Sequence, residues 1–281
     1  MKATTQTMIK TRIPHMFAAL SLVVSCVLPS LAQAHYIWIE RNAKDARLYF
    51  GEVAEVREQS PGRLDDIRAP KAWALGTTAV SGADSVGHLL AVERTPRYFT
   101  LGGSLTPQLV AREANYPVKD WSTQGIGIVK PMYYARHSAW PLKQAIAPAS
   151  ELPLDIQPVL DSTDAFLVLL NGKPLANTKV VIYAPNDWQQ EHKTDDAGRV
   201  RMALPWRGQY VMETIYKESQ AGEFEGKPYD AIRHRATLTV VQARGISIKG
   251  TGGGASGLSV MHDAAGIAHP MGETRAAKIK H

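Results

Sequence analysis

Cysteine is nearly missing from this chain. Cys26 is the only one, so no disulfide can form within it and stability has to come from a packed core. Clustered positive charge is missing too. The formal net charge of +6 looks basic, but Lys2, Lys10 and Arg12 lie at the extreme N-terminus, and Arg244, Lys249, Arg275, Lys278 and Lys280 lie at the other end against Asp263 and Glu273. The body between is close to neutral, which argues against a phosphate-binding patch and leaves nucleic acid out as a partner. The one conspicuous apolar run, Met16 to Leu28, is shorter than the roughly 20 residues of a bilayer-crossing helix. Neither Gly-x-Ser-x-Gly, His-Glu-x-x-His nor a phosphate loop occurs, so no hydrolytic or nucleotide-binding motif marks an enzyme. The expectation is a non-enzymatic protein.

What is present begins with a leader. Residues 1–34 read as a secretory signal peptide: basic residues without an acid, the apolar run, Pro29, and the small-residue pattern Ala32-Gln33-Ala34. Cleavage after Ala34 would remove Cys26 and make His35 the first residue of a periplasmic or secreted protein. A lipoprotein box at Val23-Val24-Ser25-Cys26 is the competing reading. The apolar run continues past Cys26 and a good cleavage site follows it, which favours Ala34.

The remaining chain reads as all-β. His35 to Glu40 alternates with period two, Arg47 to Phe50 follows after a polar turn, and the two form a hairpin that holds His35 on a sheet. Glu52 to Ile67 is charged and aperiodic, with Pro61-Gly62 marking a turn, and reads as a surface loop. Short apolar runs continue to Tyr133-Tyr134-Ala135-Arg136-His137. Prolines 141, 148, 153 and 158 crowd the next stretch, so a junction is placed at 158, although a proline-rich crossing strand would look the same. Beyond it, Ala165 to Leu170, the hairpin signal Asn171-Gly172, Lys179 to Tyr183, Gly208 to Glu213 and a long strand from Tyr229 to Val241 indicate an antiparallel sandwich. The expected organisation is a β-rich domain over 35–158, a sandwich over 159–243 and a flexible Gly/Ala-rich tail over 244–281.

Two resemblances enter here. Leu170-Asn171-Gly172-Lys173-Pro174-Leu175-Ala176, with Val180-Val181-Ile182, Thr194-Asp195 and Gly198-Arg199, resembles the carboxypeptidase-regulatory-like, prealbumin-type sandwich, which says much about fold and little about function. A second resemblance covers most of the chain. His-Tyr-Ile-Trp-Ile-Glu from His35, the Arg47-to-Gly51 strand running into Glu52, Tyr133-Tyr134-Ala135-Arg136, and Gly226-Lys227-Pro228-Tyr229 leading to Ile232-Arg233-His234-Arg235-Ala236-Thr237-Leu238 resemble the domain of unknown function 4198 family. That likeness implies an exported β-rich protein, with some members resembling accessory components of nickel or cobalt uptake, and hence a membrane metal-uptake system as partner.

The residues themselves point the same way. An N-terminal histidine can chelate a metal ion through its α-amine and Nδ1, and both groups can lack protons near neutral pH once a metal competes. A second imidazole would complete three nitrogens, a set suited to Cu(II) or Ni(II). His234 is the first candidate, because it falls on the apolar side of its strand, where the plain alternative is a satisfied core histidine. His137 is the second. Glu40 and Glu52 stand near the first hairpin as carboxylate ligands or acceptors, and Trp38 reads as a buried anchor between domains. The expected function is an exported protein handling Ni, Co or Cu through His35. The alternatives are a non-catalytic sandwich that binds a protein partner and a copper histidine-brace oxidative enzyme.

Overall fold

A computed structural model of the chain describes residues 35–42, 44–76, 87–146, 149 and 151–248. The signal-peptide reading of 1–34, and the tail reading from residue 249 on, lie outside the described residues.

The expected first hairpin forms as strands Tyr36–Arg41 and Ala46–Glu52, paired antiparallel with Trp38 opposite Tyr49. Alternation sends Ile37 and Ile39 to one core with Leu48 and Phe50, and Tyr36 and Trp38 to another with Tyr49. Both faces of this short strand are therefore buried. Phe99–Gly102 and Ala91–Arg94 extend the sheet, and Val56–Arg57 folds back on the end of Ala46–Glu52, which gives a five-stranded sheet. The fold-back depends on Gly51, whose φ is +138°. A Cβ there would lie 2.1 Å from the Val56 carbonyl oxygen, so only glycine lets the charged loop return beside His35.

The large sheet has nine strands, and its centre is a parallel pair: the central strand Gly127–Ser138 and the last strand Ala231–Gln242. Gly208–Glu218, Lys179–Tyr183 and Gln189–Lys193 flank the last strand, while Gln108–Glu113, Lys71–Leu75 and His88–Leu89 flank the central one. Asn171 and Gly172 adopt φ of 50° and 74°, the expected two-residue hairpin, which joins Ala165–Leu170 to Lys173–Pro174. The following strand, Lys179–Tyr183, then crosses to the nine-stranded sheet. Leu154–Pro158 and Arg199–Arg201 complete a four-stranded sheet around Ala165–Leu170.

The nine-stranded sheet has a core on each face. Tyr133, Ala135 and Ala111 pack with the first hairpin. Tyr134, Val110, Ala236 and Leu238 pack with Ile156, Phe166 and Val168 of the four-stranded sheet. The sheet takes five strands from before residue 158 and four from after it, and Leu154–Pro158 is a strand of the smaller sheet. Leu154–Pro158, at the end of the proline-rich stretch, is thus a strand in its own right. The described chain is all-β and sandwich-like, as expected.

Arg136 of the central strand reaches Leu154–Pro158 through a buried bidentate pair, with Nε 2.9 Å and Nη2 2.6 Å from the Asp155 carboxylate. Removing one partner strands a charge in a medium that solvates it poorly. Asp155→Ala should lower unfolding free energy by about 3–5 kcal/mol, read from the midpoint of urea denaturation at unchanged slope.

Candidate functional site

His35 stands at the start of the first strand, against the last strand of the opposing sheet. Arg235 Nη1 donates to the His35 carbonyl oxygen at 2.8 Å, and Thr237 Oγ1 donates to that of Ile37 at 2.7 Å. These two side chains, two residues apart on one face, satisfy acceptors that the strand's outer edge would otherwise leave bare. Arg235 is itself held by Glu213, which also accepts from the Tyr183 hydroxyl at 3.1 Å. The Arg235 guanidinium lies 5.2 Å from the centre of the Tyr36 ring. Tyr36 accepts at its hydroxyl from the Val53 amide at 3.0 Å, which pins the loop after Glu52.

That loop surrounds the imidazole with carboxylates. Nε2 of His35 contacts Glu58 Oε1, and Nδ1 lies 3.2 Å from Glu52 Oε1. The Nδ1 contact is close but lacks hydrogen-bond alignment, so Nδ1 is a buried nitrogen with no hydrogen-bond partner among the described residues. In the neutral tautomer that donates its Nε2 proton to Glu58, Nδ1 carries the lone pair and faces Glu52. The three side chains are only 13–18 % exposed, and the ring leans on Phe50 at 5.5 Å between centroids. Burial raises the Glu52 carboxyl above its ordinary range, the charge of Glu55 raises it further, and His35 and Arg235 oppose the shift.

His234 lies on the other side of the sheet. Arg235 and Thr237 face the first hairpin, so His234 and Ala236 face the second core. Tyr134 donates to His234 Nδ1 at 2.8 Å, and Nε2 donates to Glu218 at 2.9 Å. Burial lowers its pKa, and Glu218 works against that shift. Both ring nitrogens are engaged, and the sheet itself stands between His234 and His35. His137 shares the face of Tyr133 and Ala135, but it belongs to the far end of the first strand, near Arg41. Four residues separate it from the Tyr133 level, about 13 Å of strand. The structure therefore does not bring His35, His234 and His137 together. Among the described residues no three His, Cys, Asp or Glu side chains are arranged to hold a metal ion. Glu40 is occupied by Arg57 at 2.8 Å and by the Trp38 indole at 3.0 Å. Trp38 is fully buried and stacked on Tyr49.

Residues 32–218 match the family described as domain of unknown function (DUF4198). The chain belongs to that family. No curated protein and no solved structure matches it.

In this DUF4198 protein the site residues that sequence reasoning overlooked are Glu55, Glu58, Arg235 and Glu213. The first two carried a signal, acids at 52, 55 and 58, that a surface-loop reading passed over. Arg235 and Glu213 are buried charges on strands 22 positions apart, and nothing local marks them as a pair.

The depressed histidine gives a pH test. Burial, then the charge of Arg41, pushes His137 from 6.5 down to about 4. The unfolded chain thus takes up a proton at higher pH than the folded one, so this contribution is complete above 6.5 and is lost as pH falls toward 4. His137→Gln should reduce the slope of unfolding free energy against pH in that window by up to about one proton. Urea titrations at several pH values measure it, with a residual slope from His234.

Proposed function

We propose that this DUF4198 protein is exported and binds a divalent transition-metal ion, nickel, cobalt or copper, through the α-amine and Nδ1 of a mature N-terminal His35. The observation that carries this reading is the His35 ring itself. Glu58 takes the Nε2 proton while Nδ1 stays buried and unbonded, and Nδ1 is the nitrogen that can close a chelate ring with the amine of the same residue. Metal-binding histidines commonly donate their other ring N–H to a carboxylate in this way.

Export is supported by position. The Ala32-Gln33-Ala34 pattern is followed at once by the first strand at Tyr36, and the family match begins at residue 32. No helix among the described residues is long and apolar enough to cross a membrane. The resemblance to accessory components of nickel and cobalt uptake makes a membrane uptake system the partner. Residues 159–243, with their facing sheets, are read as the prealbumin-type module, whose last strand holds the start of the first hairpin through Arg235 and Thr237.

A histidine-brace copper enzyme would need a second imidazole beside His35, and His234 faces the opposite core, hydrogen-bonded at both nitrogens. A binder that delivers its ion is the better fit to one chelating residue.

Intact mass of protein recovered from the periplasm should begin at His35, and it should carry transition metal by elemental analysis. Adding one alanine before His35 should weaken binding by roughly two or more orders of magnitude, because the new terminal amine no longer shares a chelate ring with Nδ1. Equal affinity of the two forms in a calorimetric titration would reject this function.

A further inference from the structure

This inference rests on the His35 reading and deepens it. Two donors from one residue leave most of an ion's coordination sphere open, and the residues around His35 say what fills the next place. Glu52 Oε1 lies 3.2 Å from His35 Nδ1 without being hydrogen-bonded to it. Bonds of about 2.0–2.2 Å from a nitrogen and a carboxylate oxygen set neighbouring ligand atoms about 3 Å apart. The two atoms already stand at the separation of two ligands on one ion.

The surroundings also limit the ion. Phe50, Glu52 and Glu58 face the ring, and none offers a sulfur. Soft thiolate and thioether donors select Cu(I), whereas amine, imidazole and carboxylate suit divalent ions. Carboxylates at 52, 55 and 58 add negative charge, which favours a doubly charged ion over a singly charged one by simple attraction.

The geometry points to Glu52 as the third ligand of the His35 site, with Glu58 orienting the imidazole from outside the ligand set, so that the site takes a divalent ion and discriminates against Cu(I). Three donors, two nitrogens and one oxygen, then leave further positions for water or for a ligand offered by the receiving protein. Transfer of the ion can begin at those positions before the chelate opens.

The test uses cleaved full-length protein whose intact mass shows His35 first. Ni(II) titrated calorimetrically should bind at one site per chain, and Glu52→Gln should weaken that binding at least about tenfold with an unchanged circular dichroism spectrum. Glu52→Asp, which keeps the charge on a shorter stem, should retain more affinity than Glu52→Gln, and it stands in for the amide variant if that variant misfolds. Cu(I) presented by a competing chelator should bind more weakly than Ni(II). Folded Glu52→Gln protein that binds Ni(II) as tightly as wild type would overturn the third ligand and leave the His35 chelate standing. Cu(I) held more tightly than Ni(II) would overturn the divalent preference. No Ni(II), Co(II) or Cu(II) bound by wild type starting at His35 would remove the chelate itself, and this inference with it.

Discussion

The parallel pairing of Gly127–Ser138 with Ala231–Gln242 is the constraint on which the rest of the structure depends. Parallel neighbours cannot be joined by a tight turn, so the chain between them has to leave the sheet and return. That excursion supplies the whole four-stranded sheet and the three strands that widen the large sheet on one side. Each of the two long strands also presents its side chains alternately to opposite faces. Tyr133 goes to one core and Tyr134 to the other; Arg235 faces the first hairpin and His234 faces away from it. Residues adjacent in sequence are therefore assigned to different chemistry, and no side-chain rotation moves one across the sheet.

The buried Arg235–Glu213 pair follows from this arrangement and explains how the start of the first strand is held. An ion pair in a core is a weak source of stability, since desolvation can cancel the attraction and apolar residues of similar size often do as well. Direction is what an apolar pair cannot supply. Glu213 holds the Arg235 Nε, which leaves Nη1 aimed at the carbonyl of His35, and Thr237 repeats the contact two residues along the same strand. The start of the first strand is fixed in place by donors from a different sheet.

Periodicity made several of these features legible in the sequence. The hairpin at His35, the Asn171-Gly172 turn and the inward orientation of His234 all rest on local rules, and local rules act over a few residues. What could not be read was partnership. Alternation says that His234 faces apolar surroundings, yet it cannot say which of two cores supplies them. Lys179–Tyr183 follows a hairpin signal but joins the other sheet, because Lys173–Pro174 already occupies the adjacent edge of Ala165–Leu170. The prolines between 141 and 158 look like a linker, and the strand they frame is sealed in by Arg136 from another sheet. Glu52 to Glu58 lacks period because Gly51 folds it back on its own strand, so its acids look solvated when Glu52 and Glu58 both close on the His35 ring.

Carboxylates held this close ask for a counter-charge. Glu52 is partly buried beside the charge of Glu55, and Glu58 touches the same histidine. The neighbouring cation is Arg235, but Glu213 is its nearest carboxylate and the His35 carbonyl takes another of its donors. What faces the imidazole is two carboxylates, Glu52 and Glu58, in a setting drier than bulk water, where like charges repel more strongly. Turning Glu52 or Glu58 outward would relieve that repulsion, and their contacts with the His35 ring hold both in. The proposed ion beside Nδ1 would offset that repulsion, because the same low dielectric that makes the acids repel one another would strengthen their attraction to it.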